Sequence, residues 1–285
     1  ELEVFSVIVS SASPSQPADM LKAAEDVAKQ LSFAPQVLGL AAGAGGAVLD
    51  ASLAEVEAAA PRPALFVFVG GGIGAAVVRA VTLFLRQHGT SPLRVIVMEV
   101  DPVLASMTLN LVEWAGFRTL VDVWLGSAEQ LLPRLAQQHG ADKLGLMVLS
   151  SQASAHHCAL QCAERLGLVH PGTVIVADSV LSPTSPELMW IATDAASFRS
   201  AVVEVADNWV LIMQCVAESR RARIPSHVAQ LSHEAEEGKR RSASYVAGHR
   251  QRKDRLDPCP WQRSGEGPKH EDAYCALAQS IPRVR

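Results

Sequence analysis

The sequence predicts an α/β protein with an open, mostly parallel sheet and helices on both of its faces. Short apolar runs recur along the chain, and most are apolar at every position, as expected of strands that are buried on both faces. Segments of helical length separate these runs, and a cluster of glycines follows the first of them. Strands that alternate with helices in this way form parallel sheets through right-handed crossover connections.

The apolar runs define six strands, and the segments around them define six helices. The predicted strands are Leu65–Val69, Val95–Glu99, Leu120–Leu125, Leu144–Leu149, Val174–Ala177 and Trp209–Cys215. The predicted crossover helices are Ala75–His88, Pro102–Gly116, Ala128–His139 and His156–Gly167. Two further helices, Asp19–Leu31 and Gly46–Ala60, precede the first strand.

Composition and charge divide the chain into three parts. Hydrophobic residues make up 49% of the sequence and aromatic residues 5%, which suits an α/β domain rich in Ala, Val and Leu. We expect an N-terminal extension at 1–16, one domain at 17–218 and a basic, disordered tail at 219–285. About half of all Lys and Arg lie in this tail, but Glu and Asp are interspersed with them. No specific nucleic-acid partner is therefore predicted.

Cysteine usage and hydropathy predict an intracellular, cytoplasmic setting. The five cysteines are irregularly spaced and lie outside any small secreted scaffold, which favours reduced thiols. No run reaches the roughly 18 consecutive apolar residues of a membrane span, so no span is predicted in this chain. The first residues lack the basic region of a signal peptide. An anchor upstream of Glu1 stays an open alternative.

The glycine-rich turn after the first strand is a candidate cofactor site. In an open α/β sheet, ligands bind where the carboxyl end of a strand turns into a helix. Glycine allows the backbone to approach a ligand closely and to adopt a positive φ. The sequence Gly70-x-Gly72-x-x-Ala75 also fits the dinucleotide fingerprint. The turn alone is therefore compatible with NAD, with S-adenosylmethionine, or with close packing of strand and helix.

The ends of the next two strands strengthen the case for a nucleoside cofactor. The second strand ends in Glu99, whose carboxylate can accept hydrogen bonds from both ribose hydroxyls. The third strand is followed by small and polar residues that can contact an adenine edge. The predicted cofactor-binding residues are Gly70, Gly72, Gly74, Met98, Glu99, Val100, Gly126, Ser127, Ala128 and Glu129.

Three segments resemble the catechol O-methyltransferase family, including its transmembrane relatives. They are VIVMEVDPVLASMTLNLVEWAGF, WLGSAEQLLPRL and LGLVHPGTVIVADSVLSPTSPEL. The similarity extends over roughly Pro17 to Cys215 and is most specific from Val95 to Pro186. It implies a Rossmann-like methyltransferase fold and S-adenosylmethionine, not NAD, as the cofactor. By position it assigns Glu99 to the ribose.

The resemblance also implies a Mg²⁺ site, which this chain retains only in part. In the family, an Asp after the fourth strand and an Asp–Asn pair after the fifth hold the metal, and a lysine acts as general base. Here Ser150 replaces the first Asp and Ala153 replaces the lysine. Asp178 is retained, but Ser179 replaces the Asn. Because Mg²⁺ prefers carboxylates, this set predicts weak metal binding and makes Mg²⁺ doubtful as a cofactor.

Histidines and cysteines after the fourth strand are weaker candidates. His156 and His157 could act as metal ligands or as a general base near neutral pH. The alternative is a histidine pair that packs at the start of a helix. Cys158 and Cys162 share one helical face, but their spacing does not match a zinc site, and we expect them to pack inward.

Two functions from different classes follow. The first is an S-adenosylmethionine-dependent O-methyltransferase of the catechol type, acting on a hydroxyl of a small aromatic substrate. The alternative is an inactive pseudoenzyme that binds a cofactor or a protein partner, which the residues at 150, 153 and 179 favour. An NAD-dependent enzyme rests on the glycine spacing alone, and no hydride-transfer site is evident in the sequence.

Overall fold

The structure is a computed structural model that describes most of the chain up to residue 231. It describes residues 1–31, 33–59, 64–89, 92–140, 144–150, 156–180, 185–205, 208–217 and 224–231, with positions 233, 237 and 283–284. Most of the predicted tail and Ala153 lie outside these residues.

The described strands form one eight-stranded sheet in the order β3-β2-β1-β4-β5-β7-β6-β8. Their bounds are β1 Ala64–Val69, β2 Leu93–Glu99, β3 Val121–Leu125, β4 Leu144–Leu149, β5 Val174–Ala177, β6 Phe198–Val205, β7 Asn208–Cys215 and β8 Arg283–Val284. The first five strands are parallel, and β7 runs antiparallel to both of its neighbours. The chain reverses its strand order at β1, between β2 and β4, which is where open α/β sheets bind ligands.

Helices cover both faces of the sheet, as predicted. They are α1 Leu2–Ser11, α2 Pro17–Gln30, α3 Ala34–Leu38, a 3₁₀ turn Gly39–Ala41, α4 Gly43–Ala59, α5 Ala75–His88, α6 Pro102–Trp114, α7 Ala128–His139, α8 His156–Arg165 and α9 Pro186–Ala192. One hydrophobic cluster joins α1, α2, α4, α5 and α6 to one face. A second cluster joins α7, α8 and α9 to the other face.

Two helices end earlier than their sequence pattern predicts. The predicted ends were Gly116 and Gly167, but α6 ends at Trp114 and α8 at Arg165. Both glycines have a positive φ, +79° and +69°. A glycine in this region terminates a helix because the next amide turns back to bond an earlier carbonyl. The bond from the Phe117 amide to the Val112 carbonyl, at 2.9 Å, is of this kind.

Six of the described elements were not among the predicted helices and strands. They are α1, α3, the 3₁₀ turn Gly39–Ala41, α9, β6 and β8, of which β6 forms a hairpin with β7. Helix α1 packs into the first hydrophobic cluster through Val4 and Ile8. The Trp114 indole also donates a hydrogen bond to the Ala12 carbonyl at 3.3 Å. Residues 1–16 are therefore packed against the domain, while the predicted boundaries at 17 and 218 stay predictions.

Among the residues that the structure describes, one helical stretch is long and apolar enough to cross a membrane. It covers Ala34–Val56, and 56% of its apolar window is buried inside the protein. A single stretch of this kind near the N-terminus is weak evidence, because core helices can be equally long and apolar. In the predicted tail, residues 226–231 are helical and Val228 is fully buried. The predicted disorder of the remaining tail concerns residues outside the described ones.

The central strand β1 is buried at every position. Phe66 is fully buried and packs edge-to-face on Phe84, with ring centroids 5.4 Å apart. Removing its ring would leave a cavity between the sheet and α5.

We expect Phe66→Ala to lower the free energy of unfolding by about 3–5 kcal/mol, the range for large-to-small changes in a packed core. Phe33→Ala is the matched control, because Phe33 is 39% exposed, and should cost less than about 1 kcal/mol. Urea denaturation measures both. Equal losses would show that the sheet–α5 contact is not a central part of the core.

Candidate functional site

The glycine turn between β1 and α5 adopts a backbone that requires glycine. Gly70, Gly72 and Gly74 have φ values of +91°, +52° and +89°. A Cβ atom at Gly74 would lie 2.9 Å from the Cα of Thr108, so α5 approaches α6 too closely for any side chain there. At Gly72 a Cβ would meet no atom within 4 Å. The turn is therefore packed on its Gly74 side and open on its Gly72 side.

Glu99 holds this turn in place through a buried carboxylate. Its Oε2 accepts hydrogen bonds from the amides of Gly71 and Gly72, at 2.8 and 3.3 Å. Its Oε1 accepts from the amides of Val100 and Asp101, at 2.8 and 3.1 Å. A carboxylate offers about four acceptor positions. The residue predicted to bind a ribose thus already joins the turn after β1 to the turn after β2.

The end of β3 lies beside the end of β2, as the predicted constellation requires. The Gly126 amide donates to the Glu99 carbonyl at 2.9 Å, and the Gly70 amide donates to the Met98 carbonyl at 2.8 Å. Met98 itself is buried, whereas Val100 is 64% exposed beyond the strand end. Exposed apolar surface at this edge is suited to contact a ligand.

The predicted adenine-side residues differ in exposure. Ser127 and Glu129 lie at the start of α7, where Ser127 is partly buried and Glu129 is exposed. Ala128 is buried in the second hydrophobic cluster. Its methyl group therefore packs into the core, and a ligand at the end of β3 would contact Ser127 and Glu129.

Ser150, predicted as a degenerate neighbour of Asp178 in the metal site, contacts the glycine turn. Its hydroxyl donates to the Gly70 carbonyl at 2.6 Å, and its amide donates to the Val69 carbonyl at 2.9 Å. This contact joins the end of β4 to the turn after β1. The sequence offered no signal for it, because the two residues are 80 positions apart.

Asp178 follows β5 and lies under the 3₁₀ turn of the N-terminal region. Its Oδ1 accepts from the Ser179 amide at 2.7 Å, and Ser179 has a φ of +60°. A Cβ atom at Gly39 would lie 2.7 Å from Oδ2 of Asp178. Gly39 therefore lets the 3₁₀ turn cover one side of this carboxylate. This glycine was not singled out in the sequence.

The residues around Asp178 do not fit a Mg²⁺ site. Within the part of the chain that the structure describes, no group of three or more His, Cys, Asp or Glu side chains could hold a metal ion. The Ser150 hydroxyl is directed to the Gly70 carbonyl. One carboxylate partly covered by the 3₁₀ turn is a poor ligand set for a cation that prefers six oxygen ligands.

The two histidines lie at the start of α8 and face α9. His156 is fully buried. In His157, Nδ1 lies 3.9 Å from Oε2 of Glu187, and Nε2 lies 3.3 Å from the Cys158 sulfur. Burial raises the pKa of the Cys158 thiol, and the carboxylates of Glu129 and Glu187 raise it further. This group is therefore not arranged as a metal site or around a thiolate.

A buried arginine on α5 connects three N-terminal segments, and the sequence pattern did not reveal it. The Arg79 guanidinium bonds both Asp50 oxygens at 2.7 Å, Oε1 of Glu25 at 2.9 Å and the Ala41 carbonyl at 2.9 Å. Hydrogen bonds to Asp50 raise the pKa of Arg79. Burial alone would raise the pKa of Glu25, but hydrogen bonds from the Gly43 amide and Arg79 lower it.

Two solved structures share this architecture. Rv0187 from MTB, crystallised with a bound cofactor, has a TM-score of 0.50 at 17% identity and covers 70% of this chain and 90% of its own. A candidate O-methyltransferase from Klebsiella pneumoniae has a TM-score of 0.50 at 15% identity, over 75% of this chain and 97% of its own. The chain thus has the Rossmann-like fold of S-adenosylmethionine-dependent methyltransferases.

The sequence relatives are more specific and confirm the resemblance to catechol O-methyltransferases. The mouse enzyme is 26% identical over 199 residues, 70% of each chain, and the bovine enzyme 28% over 144 residues, 50% and 49%. Human transmembrane O-methyltransferase is 29% identical over 107 residues, 37% of each chain. No protein-family profile matches the chain. The relatives indicate an O-methyltransferase, and the inactive alternative gains no support from them.

The geometry of the turn predicts a difference between two glycines at opposite ends of α5. Gly74→Ala combines a positive φ with a 2.9 Å contact, whereas Gly89→Ala has a positive φ but no atom within 4 Å. We expect Gly74→Ala to cost about 1–3 kcal/mol more, the range for overpacking. Thermal and urea denaturation compare the two variants. An equal cost would mean that α6 can move away from the turn freely.

Proposed function

We propose that the chain is an S-adenosylmethionine-dependent O-methyltransferase that acts on a hydroxyl of a small aromatic acceptor. The observation that carries this proposal is the buried Glu99 carboxylate, which is bound to the glycine turn at the point where the strand order reverses. The names of the sequence relatives support the reaction and the aromatic acceptor.

The cofactor would lie over the ends of β1, β2 and β3. Glu99 would accept hydrogen bonds from the ribose hydroxyls, sharing its oxygens with the loop amides or replacing some of them. Gly72 leaves the open side of the turn free of side chains. Val100 presents an exposed apolar surface beside the end of β3. When bound, S-adenosylmethionine supplies a methyl group on a sulfonium, which leaves as a neutral thioether.

The acceptor would lie at the ends of β4 and β5, next to the cofactor in the strand order β1-β4-β5. Asp178 is the carboxylate on that side and is partly exposed. We assign it to hold the acceptor hydroxyl and to take its proton as the oxygen bonds the methyl carbon and the carbon–sulfur bond breaks. Such a displacement depends on alignment of oxygen and methyl, which a fixed hydrogen-bond acceptor provides.

The same site leads us to propose methyl transfer without Mg²⁺. The poor fit of Asp178, Ser150 and their surroundings to a hard cation supports this. Asp178 would act as a general base that takes the hydroxyl proton during the transfer, whereas a metal activates the oxygen by lowering the hydroxyl pKa.

Cofactor binding tests the role of Glu99. We expect micromolar binding of S-adenosylmethionine in a calorimetric titration of the full chain and no heat with NAD. Glu99→Gln should weaken binding by about 1–3 kcal/mol, or roughly 5- to 150-fold, because a charged hydrogen-bond acceptor is lost. Glu113→Gln, an exposed carboxylate on α6, is the matched control. Unchanged affinity in Glu99→Gln would remove this residue from the cofactor site.

Metal independence is tested without any acceptor. Titration of Mg²⁺ into the full chain saturated with S-adenosylmethionine should give no specific heat, and chelation should not change the affinity for the cofactor. The double variant Ser150→Asp, Ser179→Asn adds a carboxylate and an amide beside Asp178 and should gain Mg²⁺ binding, which shows that the titration can detect it. Submillimolar Mg²⁺ binding by the unmodified chain would contradict metal independence.

A further inference from the structure

The wall over Asp178 is formed by the 3₁₀ turn Gly39–Ala41. Gly39 has a φ of +49°, and a Cβ there would lie 2.7 Å from Oδ2 of Asp178. The turn therefore lies as close to the carboxylate as a backbone without a side chain allows. An acceptor bound at Asp178 would therefore lie beside this turn.

The same turn is fixed from its other side by Arg79. The Arg79 guanidinium donates to the Ala41 carbonyl at 2.9 Å, at the end of the turn. Through Glu25, which accepts from the Gly43 amide at 2.9 Å, it also fixes the start of α4. A second glycine makes room for the arginine, because a Cβ at Gly46 would lie 2.6 Å from the guanidinium carbon.

The bonds of Arg79 are well suited to a fixed position. The side chain is only 13% exposed, and its planar fork binds Asp50 through two parallel hydrogen bonds of 2.7 Å. Two carboxylates, Asp50 and Glu25, form ion pairs with its single positive charge. Lysine could not reproduce this arrangement, since it lacks the rigid fork that reaches Asp50, Glu25 and Ala41 at the same time.

Arg79 also lies on the helix that begins at the cofactor turn. Helix α5 starts at Ala75, directly after Gly74, and Arg79 is about one helical turn further along. The glycine turn and the wall over Asp178 are therefore both fixed to one rigid element. Helix α5 therefore connects the proposed cofactor site to the proposed acceptor site.

We propose that Arg79 is a positioning residue for the acceptor, which it serves by holding the Gly39–Ala41 turn against Asp178. This inference rests on the proposed function. Arg79 would act on the acceptor only through the Gly39–Ala41 turn, because its described contacts are with Asp50, Glu25 and Ala41.

The test compares Arg79→Met and Arg79→Lys with Arg118→Met, because the Arg118 side chain is 54% exposed and lies in the turn before β3. With catechol as the acceptor, we expect the acceptor KM to rise at least tenfold in both Arg79 variants, with kcat within threefold and the cofactor Kd within twofold. Hydrogen exchange of residues 39–46 should become faster in these variants and stay unchanged in Arg118→Met. Equal losses in kcat and cofactor affinity, or unchanged exchange, would overturn the proposal.

A second variant changes the same turn at the point where it meets Asp178. Gly39→Ala forces the turn and the Asp178 carboxylate apart while leaving Arg79 intact, so it should also raise the acceptor KM without changing the cofactor Kd. Gly89→Ala, which also has a positive φ, is the control. Asp50→Asn replaces the Arg79 variants if those do not fold, since it keeps the bonds to Glu25 and Ala41.

The two proposals fail in different ways. If the unmodified chain methylates neither catechol nor simple phenols, the proposed function is contradicted, while the exchange experiment still tests whether Arg79 holds the turn. If the chain is active and Gly39→Ala leaves the acceptor KM unchanged, the proposed function stands and the role of the wall is wrong.

Discussion

The candidate site depends on one buried carboxylate. Glu99 binds four backbone amides that belong to two different turns. These turns lie at the carboxyl ends of β1 and β2, where the strand order of the sheet reverses. A buried carboxylate without such donors would be costly, and four unpaired amides would be costly as well. The arrangement satisfies both demands at once. It also leaves the open side of the glycine turn facing away from the packed α5–α6 contact.

The fold was predictable because its central strands carry a simple signal. Uniformly apolar runs such as Leu144–Leu149 can only be buried on both faces, and the structure has this strand with the same bounds. Strand β6 lies nearer the edge of the sheet, and its sequence FRSAVVEV mixes exposed and buried positions. Its burial depends on the hairpin partner β7, which a local pattern does not contain. Helix α1 was missed for a similar reason, since its apolar residues face α2 and α6.

The site was predictable only where its residues follow strand ends. Glu99 could be placed beside the glycine turn, because parallel strands bring their carboxyl ends to one edge. The contacts around the proposed acceptor side join positions far apart in the chain. Arg79 meets Glu25 across 54 positions, and Gly39 lies against Asp178. Such pairs depend on how the N-terminal helices pack on the sheet, and neither spacing nor residue type indicates this packing.

The glycine turn is joined to the sheet by more than its two ends. The Gly70 amide bonds the Met98 carbonyl on one side, and the Gly70 carbonyl accepts the Ser150 hydroxyl on the other. The hydrogen bonds that join β2, β1 and β4 thus continue into the glycine turn. A loop without such bonds would ordinarily fluctuate. The backbone that a ligand would contact here is already ordered. The protein therefore loses little conformational entropy when the ligand binds. The glycines here supply shape without supplying flexibility.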